Sequence, residues 1–312
     1  MDPVSVFPPF PVIMGPTASG KSSLAMILAE KYNGEIVSAD SMQIYRGLDI
    51  GTAKPTADDR RKIPHHLLDI AEITEKYDVF SFRSAAEKAV TDIRKRGKLP
   101  VIAGGTGLYM RALLYGLDDL PSSPELRKEL DEKYDNEEHF PELLAIMERS
   151  APNDAAAFRD HRRKLIRAHE LYLLTGKEMT FLQQAWKRSA RKDARSFVLV
   201  WENSFLKERI ALRCREMLDS GWIGEAESFI RNGLLDAPTA WQVLGYKQIG
   251  QYLAGLLEKE ELFEKISIAT WQYARRQNTW FRTQHPEAVR ISMRDKSSFA
   301  EAEKTVAENI FS

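Results

Sequence analysis

The first third of the chain alternates short apolar runs with segments of helical spacing. Residues 11–14 form an apolar run that leads directly into Gly15, which predicts a buried strand ending in a turn. Residues 22–32 have helical spacing, and the stripe predicted to face inward consists of Leu24, Ile27, Leu28 and Ala29. The chain is therefore predicted to begin with a strand, a glycine loop and a helix.

The same alternation continues further along the chain. Apolar runs at residues 35–38, 99–103 and 197–201 predict three more strands, whereas residues 85–96 and 108–117 have helical spacing. Helical spacing also dominates everything after Ser204. Because strands that alternate with helices form parallel sheets covered by helices, we predict an α/β fold with one late strand.

A charged, strand-free segment interrupts this pattern between residues 121 and 195. We therefore predict a first part of the core at 1–118, a mainly helical insertion at 119–195 and a second part of the core at 196–312. Residues 125–154 hold ten acidic and four basic side chains, whereas residues 159–195 hold eleven basic and four acidic ones. The basic half is typical of a surface that grips a polyanion, although a solvated helix face has the same composition.

Composition narrows the class of protein. Of the 312 residues, 43% are hydrophobic and 29% charged, which is typical of a globular chain and excludes wholesale disorder. The single cysteine, Cys214, excludes an internal disulfide and a multi-thiolate metal site, so we expect a reducing cytoplasm. The first ten residues lack a basic leader region, and no apolar run is long enough to span a membrane. We expect no membrane partner.

The loop after the first strand carries a phosphate-binding motif. Its sequence fits G-x-x-x-x-G-K-[ST] between a predicted strand and a predicted helix, as the motif requires, and consists of Gly15, Pro16, Thr17, Ala18, Ser19, Gly20, Lys21 and Ser22. The backbone amides and Lys21 would hold a diphosphate, and the Ser22 hydroxyl would bind Mg²⁺. The ligand could be a nucleoside triphosphate or a compound from which diphosphate leaves.

Two further loops are predicted at the same edge of the sheet. Asp40 follows the second strand and could act as a base, or could cap a turn together with Ser38 and Ser41. The run from Gly104 to Gly107 follows the third strand, and it could present Thr106 to the site or serve only as a tight turn.

Arginine recurs at helical spacing in the second half of the chain. Arg209 and Arg213 share a helix face, so one or both could reach a diphosphate, although neighbouring Glu208 and Glu216 could also pair with them. Arg159, Arg163 and Arg167 form a similar basic stripe. Residues 271–282 mix arginines with aromatic residues, which suits contacts to RNA, while Trp280 and Phe281 favour core packing.

Several segments together resemble one family, the bacterial tRNA dimethylallyltransferases, also called tRNA isopentenyltransferases or IPP transferases. The matching segments are residues 15–22, 38–46, 51–55, 64–67, 104–109, 245–248 and 275–282. Trp271 departs from the family pattern, which has a basic residue there. The resemblance implies a P-loop NTPase-like fold with an inserted helical domain.

The resemblance also implies the reaction, which is transfer of a dimethylallyl group from its diphosphate to N6 of adenosine 37 in tRNA, with Mg²⁺ as cofactor and release of diphosphate. Asp40 would be the general base, Thr106 its hydrogen-bonding partner, and Arg213 would stabilise the leaving diphosphate. The implied tRNA contacts are Asp40, Ser41, Met42, Gln43, Thr106, Arg127, Arg163, Lys164, Leu165, Ile166, Arg167, Arg275, Arg276 and Arg282. We expect a monomer that acts on the anticodon stem-loop.

Two other functions fit parts of the sequence. A P-loop kinase would share the sheet and the phosphate loop, but it would have no use for the basic segment or the arginine-aromatic stretch. An RNA-binding protein that uses a nucleotide only as a switch would not need Asp40 for chemistry.

Overall fold

The structure, a computed structural model, describes residues 7–183 and 188–311. The chain divides into two compact units, one formed by Met1–Leu114 with Ala190–Ser312 and the other by Tyr115–Ser189. We call the first the core unit and the second the helical unit. The helical unit starts at Tyr115 and ends at Ser189, so both of its bounds lie a few residues earlier than those of the insertion predicted at 119–195. The next strand, which begins at Ala194, belongs to the core unit.

Within the described part of the chain, the core unit is organised by one six-stranded sheet. Its strands are β1 (Phe10–Met14), β2 (Gly34–Ser38), β3 (His65–His66), β4 (Leu99–Gly104), β5 (Ala194–Trp201) and β6 (Val289–Met293). The order is β3-β2-β4-β1-β5-β6, and every neighbouring pair is parallel. The predicted α/β class and the four predicted strands are therefore confirmed.

The prediction of one late strand is wrong, because β6 follows β5 as a second one. β6 lies at the edge of the sheet, and only Ile291 and Met293 of its five residues are buried. Two buried positions in alternation with polar ones give a weak apolar signal between two helices. At the opposite edge, His65–His66 forms β3 against Ile36 and Val37, and the sequence pattern gave no sign of it.

The described residues of the core unit form nine α-helices. They are α1 (Lys21–Lys31), α2 (Ala57–Lys62), α3 (Val79–Lys95), α4 (Gly107–Tyr115), α10 (Asn203–Asp219), α11 (Trp222–Arg231), α12 (Tyr246–Leu253), α13 (Lys259–Gln284) and α14 (Ser298–Phe311). Leu24, Leu28 and Ala29 of α1 are buried as predicted, but Ile27 is exposed, and Ala25 is buried instead. No helix in the described ranges is long and apolar enough to cross a membrane.

The helical unit has a small core of its own. Its helices are α5 (Pro124–Tyr134), α6 (Phe140–Ser150), α7 (Pro152–Phe158), α8 (Arg162–Thr175) and α9 (Met179–Leu182). Leu130, Leu143, Met147 and Leu165 are among the buried residues that pack together. Asp154, which is fully buried, accepts hydrogen bonds from the first amides of α9 at Met179 and Thr180 (2.6 and 2.8 Å).

Candidate active site

The parallel register brings three loops together at one edge of the sheet. Met14 of β1 pairs with Gly104 of β4, and Ser38 of β2 pairs with Ala103. The phosphate loop, the turn at Asp40 and the glycine loop after β4 therefore leave their strands side by side. This edge is where open α/β sheets bind ligands.

The phosphate loop leads directly into the first turn of α1. Gly20 caps α1 in the left-handed conformation (φ 88°), which a residue with a side chain rarely adopts. A Cβ at Gly20 would also overlap the ring of Phe299. The loop residues that line the adjacent cavity are Thr17, Ala18, Lys21 and Ser22.

Side chains from distant segments hold the backbone of this loop. Trp201 donates from Nε1 to the carbonyl of Ser19, and Arg209 donates from Nε to the carbonyl of Ala18, each at 2.9 Å. Arg209 is thus committed to the loop backbone, whereas Arg213, one turn further along α10, lines the cavity. Of the two arginines that the sequence left open, Arg213 is the one placed to meet an anion.

Asp40 sits in a fixed turn at the wall of the cavity. Its Oδ1 accepts a hydrogen bond from the backbone amide of Met42 at 2.9 Å, so the turn role left open by the sequence is real. Within the described residues, Oδ2 accepts no hydrogen bond. Thr106 holds the same turn, because its Oγ1 accepts from the amide of Ser41 at 2.9 Å and donates to the Ser41 hydroxyl at 3.2 Å.

The cavity enclosed by these loops measures about 310 Å³. Its lining includes three charged side chains that interact with one another, Lys21, Arg213 and Asp40. Apolar side chains form another part of the lining. On α10 these are Ile210, Cys214 and Met217, and beyond this helix they are Trp222, Val243 and Leu244. Neither the spacing of these residues nor their motifs pointed to a shared site, because they come from separate elements. The space therefore suits a ligand with an anionic and an apolar end.

Among these charged side chains, two positive groups interact with one negative group. Burial, together with the neighbouring positive charge of Arg213, lowers the pKa of Lys21 to about 8, and Asp40 acts in the opposite direction. Burial likewise lowers the pKa of Arg213, again against the influence of Asp40. Burial raises the pKa of the Tyr273 phenol, which also lines the cavity. An anion bound here would relieve the repulsion between Lys21 and Arg213.

The arginine-aromatic stretch on α13 contributes some residues to the cavity, some to the protein surface and some to the core. Arg276 and Gln277 line the cavity, while Arg275 and Arg282 are exposed on the helix surface. Phe281 is fully buried, in agreement with the predicted packing role. Trp280 packs so closely on Gly107 that a Cβ there would overlap its ring. Trp271 packs partly buried against the core.

Gln43 lines the cavity with its amide already engaged. Its Nε2 donates to the carbonyls of Thr52 and Ala53 (3.1 and 3.3 Å), and its Oε1 accepts from the Ser38 hydroxyl at 2.9 Å. A predicted contact to tRNA through Nε2 would have to replace one of these bonds, whereas Oε1 can accept a second hydrogen bond. Ser41 and Met42 also line the cavity.

Glu225 is a residue of this region that the motifs did not reveal. Its carboxylate accepts hydrogen bonds from the consecutive amides of Asp49, Ile50 and Gly51 at 2.8–2.9 Å, and also from the Tyr246 hydroxyl. Gly51 and Thr52, in the loop that Glu225 holds, line the cavity. A lone glutamate on a surface helix has no sequence signature for this role.

The residues predicted to contact tRNA in the helical unit differ in exposure. Arg163 and Lys164 are exposed at the start of α8. Leu165 and Ile166 are fully buried in the core of the unit, so the prediction that their side chains contact a partner needs correction, because only exposed atoms can do so. Arg127 and Arg167 both bind the buried carboxylate of Glu170. These two arginines therefore help to hold the helical unit together, in addition to contributing positive charge.

Comparisons with known proteins agree on one family. A family model described as IPP transferase matches residues 43–284. A tRNA dimethylallyltransferase of Anoxybacillus flavithermus is 41% identical over 282 residues, covering 88% of each chain. The solved structure of the tRNA isopentenylpyrophosphate transferase of Bacillus halodurans is 33% identical, with a TM-score of 0.70 over 96% of this chain and 95% of that one.

A second solved structure extends the likeness to eukaryotes. It is a eukaryotic dimethylallyltransferase acting on tRNA, 27% identical to this chain, with a TM-score of 0.79 over 96% of this chain and 77% of that one. The fold, the phosphate loop and the match over most of the chain all agree. The chain therefore belongs to the IPP transferase family of tRNA dimethylallyltransferases.

Proposed function

We propose that this enzyme transfers a dimethylallyl group from dimethylallyl diphosphate to N6 of adenosine 37 of tRNA. The observation that carries the proposal is the cavity itself, in which Lys21 and Arg213 form an anion site beside the carboxylate of Asp40 and an apolar wall. A P-loop kinase would also use an anion site beside a carboxylate, but it would have no use for the basic segment or the arginine-aromatic stretch. Membership of the IPP transferase family supports the same choice.

The donor would lie with its diphosphate on the loop and its hydrocarbon chain against the apolar wall. The bond between C1 of the allyl group and the diphosphate oxygen breaks, and its electron pair leaves with the diphosphate. Lys21, Arg213 and the loop amides meet this negative charge, so they bind the transition state more tightly than the substrate.

The acceptor is a weak nucleophile, because the lone pair of an exocyclic amine is delocalised into the adenine ring. As N6 forms its bond to C1, it must lose a proton, and Asp40 is the carboxylate at the cavity wall that can take it. The hydrogen bonds from Met42 and around Ser41 fix the turn that carries this carboxylate. The adenosine must leave its stack to reach the cavity.

Mg²⁺ would neutralise part of the diphosphate charge when it is bound. The Ser22 hydroxyl lines the cavity and is exposed. In the described ranges, no cluster of three or more His, Cys, Asp or Glu could hold a metal unaided. This fits Mg²⁺, which usually takes one or two protein oxygens, substrate phosphates and water.

The exposed basic side chains would hold the anticodon stem-loop through its phosphates. On α8 these are Arg163 and Lys164, and on α13 they are Arg275, Arg276 and Arg282. We also propose that the enzyme works as a monomer in the cytoplasm, which light scattering and cell fractionation can test.

The decisive experiment is mass spectrometry of tRNA incubated with the protein, Mg²⁺ and dimethylallyl diphosphate. We expect one dimethylallyl group on adenosine 37 and none on a tRNA with guanosine at that position. Asp40→Asn retains an oxygen for the Met42 amide but cannot take a proton, so it should bind tRNA without modifying it. Phosphorylation of an acceptor by ATP, with no dimethylallyl transfer, would contradict the proposal.

A further inference from the structure

Gln277 bridges the two glycine loops at the edge of the sheet. Its Oε1 accepts a hydrogen bond from the backbone amide of Thr17 at 2.8 Å, and its Nε2 donates to the carbonyl of Gly105 at 2.8 Å. Thr17 lies in the phosphate loop, and Gly105 precedes Thr106, which anchors the Asp40 turn. One side chain therefore links the loop that would hold the dimethylallyl diphosphate to the loop that anchors Asp40.

An amide is the side chain best suited to this bridge. Gln277 is 7% exposed, so water competes little for either bond. One end of the amide must accept from a backbone N–H while the other donates to a backbone carbonyl. An ionised carboxylate can only accept, and an apolar side chain can do neither.

The glycine on the acceptor side makes the close approach possible. A Cβ at Gly105 would overlap Nε2 of Gln277, while its contacts with Lys21 would be ordinary at 3.5 Å. The backbone of Gly105 is outside the left-handed region that favours glycine. The reason for glycine here is therefore the space that the amide occupies.

We propose that Gln277 is a positioning residue for the transfer reaction, holding the phosphate loop in register with the loop that anchors Asp40. This inference rests on the proposed function. The donor carbon is placed by the phosphate loop, and the base is placed by the Asp40 turn. A displacement of about 1 Å between reacting groups costs on the order of 100-fold in rate.

The test compares Gln277→Met, Gly105→Ala and the double variant. Gln277→Met removes both hydrogen bonds while keeping a side chain of similar volume. Gly105→Ala displaces the amide of an unchanged Gln277, so the two substitutions disrupt the same contact in different ways. We expect each to lower kcat by about 100-fold, with the KM for tRNA changed by less than about threefold. The double variant should be no worse than the poorer single one, because both lose one contact.

A matched control is Gln272→Met, an exposed glutamine on the same helix, which should keep wild-type kinetics. Thermal unfolding of every variant shows how much protein is folded, and rates are expressed per folded protein. A merely structural Gln277 would lower the melting temperature but leave kcat unchanged. Independent losses that multiply in the double variant would also overturn the proposal.

Binding of inorganic diphosphate with Mg²⁺, measured by calorimetry, separates this inference from the proposed function. Gln277→Met should bind diphosphate about tenfold more weakly, because the half-buried Thr17 amide loses its acceptor and the loop loses its register. If wild type binds diphosphate but transfers no dimethylallyl group, the proposed function fails. If wild type transfers the group and Gln277→Met matches it in both assays, the inference about Gln277 fails.

Discussion

Arg209 lies over the indole ring of Trp201, with its guanidinium carbon 4.4 Å from the ring centroid. The two side chains bind consecutive carbonyls of the phosphate loop, those of Ala18 and Ser19. Both side chains thus hold the backbone of the loop, whereas Arg213, on the same helix as Arg209, lines the cavity. Residues one turn apart on α10 therefore have different roles.

This difference predicts that substitution of Arg213 mainly lowers activity, whereas substitution of Arg209 mainly lowers stability. Arg213→Gln should lower kcat by about 100-fold or more, because a preorganised donor to the leaving diphosphate is lost. Its thermal stability should change little, because the half-buried guanidinium loses an unfavourable neighbour in Lys21 and a favourable one in Asp40. Arg209→Met should instead lower the free energy of unfolding by about 1–2 kcal/mol through the lost stacking and hydrogen bond.

Steady-state kinetics and thermal unfolding of both variants check this prediction. Equal losses of kcat with equal losses of stability would show that the two arginines are interchangeable, contrary to their contacts.

The pKa of Lys21, lowered to about 8, predicts the alkaline limb of the pH profile. In the free enzyme Lys21 loses its charge as the pH rises through that value, so diphosphate binding weakens. The quantity kcat/KM for dimethylallyl diphosphate, which reports groups of the free enzyme, should therefore fall above about pH 8. In Arg213→Gln the limb should move to higher pH, because the neighbouring positive charge that lowers the pKa of Lys21 is gone.

Initial rates at low donor concentration between pH 6 and 10 measure this limb. A limb that stays at the same pH in Arg213→Gln would mean that a group other than Lys21 titrates.

Glu225 offers a test of the loop that carries Gly51. Glu225→Ala leaves the amides of Asp49, Ile50 and Gly51 without their acceptor, and should lower the free energy of unfolding by about 3 kcal/mol. Transfer activity should fall as well, since this loop lines the cavity. Chemical denaturation and the transfer assay measure the two effects.

The control for this variant is Glu227→Ala on the same helix. Glu227 forms an exposed pair with Arg231, and such pairs contribute roughly 0–1 kcal/mol. A stability loss similar to that of Glu225→Ala would contradict the role assigned to Glu225.

The start of α8 predicts separable effects on tRNA binding and on folding. Arg163→Ala should weaken tRNA binding and reduce the slope of log affinity against log salt by about one, with little change in stability, because this arginine is exposed. Leu165→Ala should lower the free energy of unfolding by about 2–5 kcal/mol, because Leu165 is fully buried. Filter binding at several salt concentrations and chemical denaturation measure the two; an unchanged salt slope in Arg163→Ala would remove it from the tRNA contacts.

Local patterns identified most of the sheet and its chemistry. The strands β1, β2 and β4 are buried throughout and β5 is mostly buried, and each of the four contains a short apolar run. The phosphate motif specifies a loop between β1 and α1, so both the strands and the loop can be recognised without tertiary information. The edge strands β3 and β6 escaped because short strands with few buried positions have little apolar signal. The exposure of Ile27 shows the same limit, since spacing gives the face of a helix but not its edges.

By itself, the sequence determined the α/β class, the phosphate loop and the candidate base, because each depends on residues adjacent in the chain. Only the tertiary structure decided that Arg213 lines the cavity while Arg209 holds the loop, that Leu165 and Ile166 are buried, and that Gln277 and Glu225 hold loops. The burial of Leu165 and Ile166 depends on packing between helices. The roles of Arg209, Gln277 and Glu225 depend on backbone amides and carbonyls from distant segments. Such partners are chemically identical at every position, so only the folded arrangement distinguishes them.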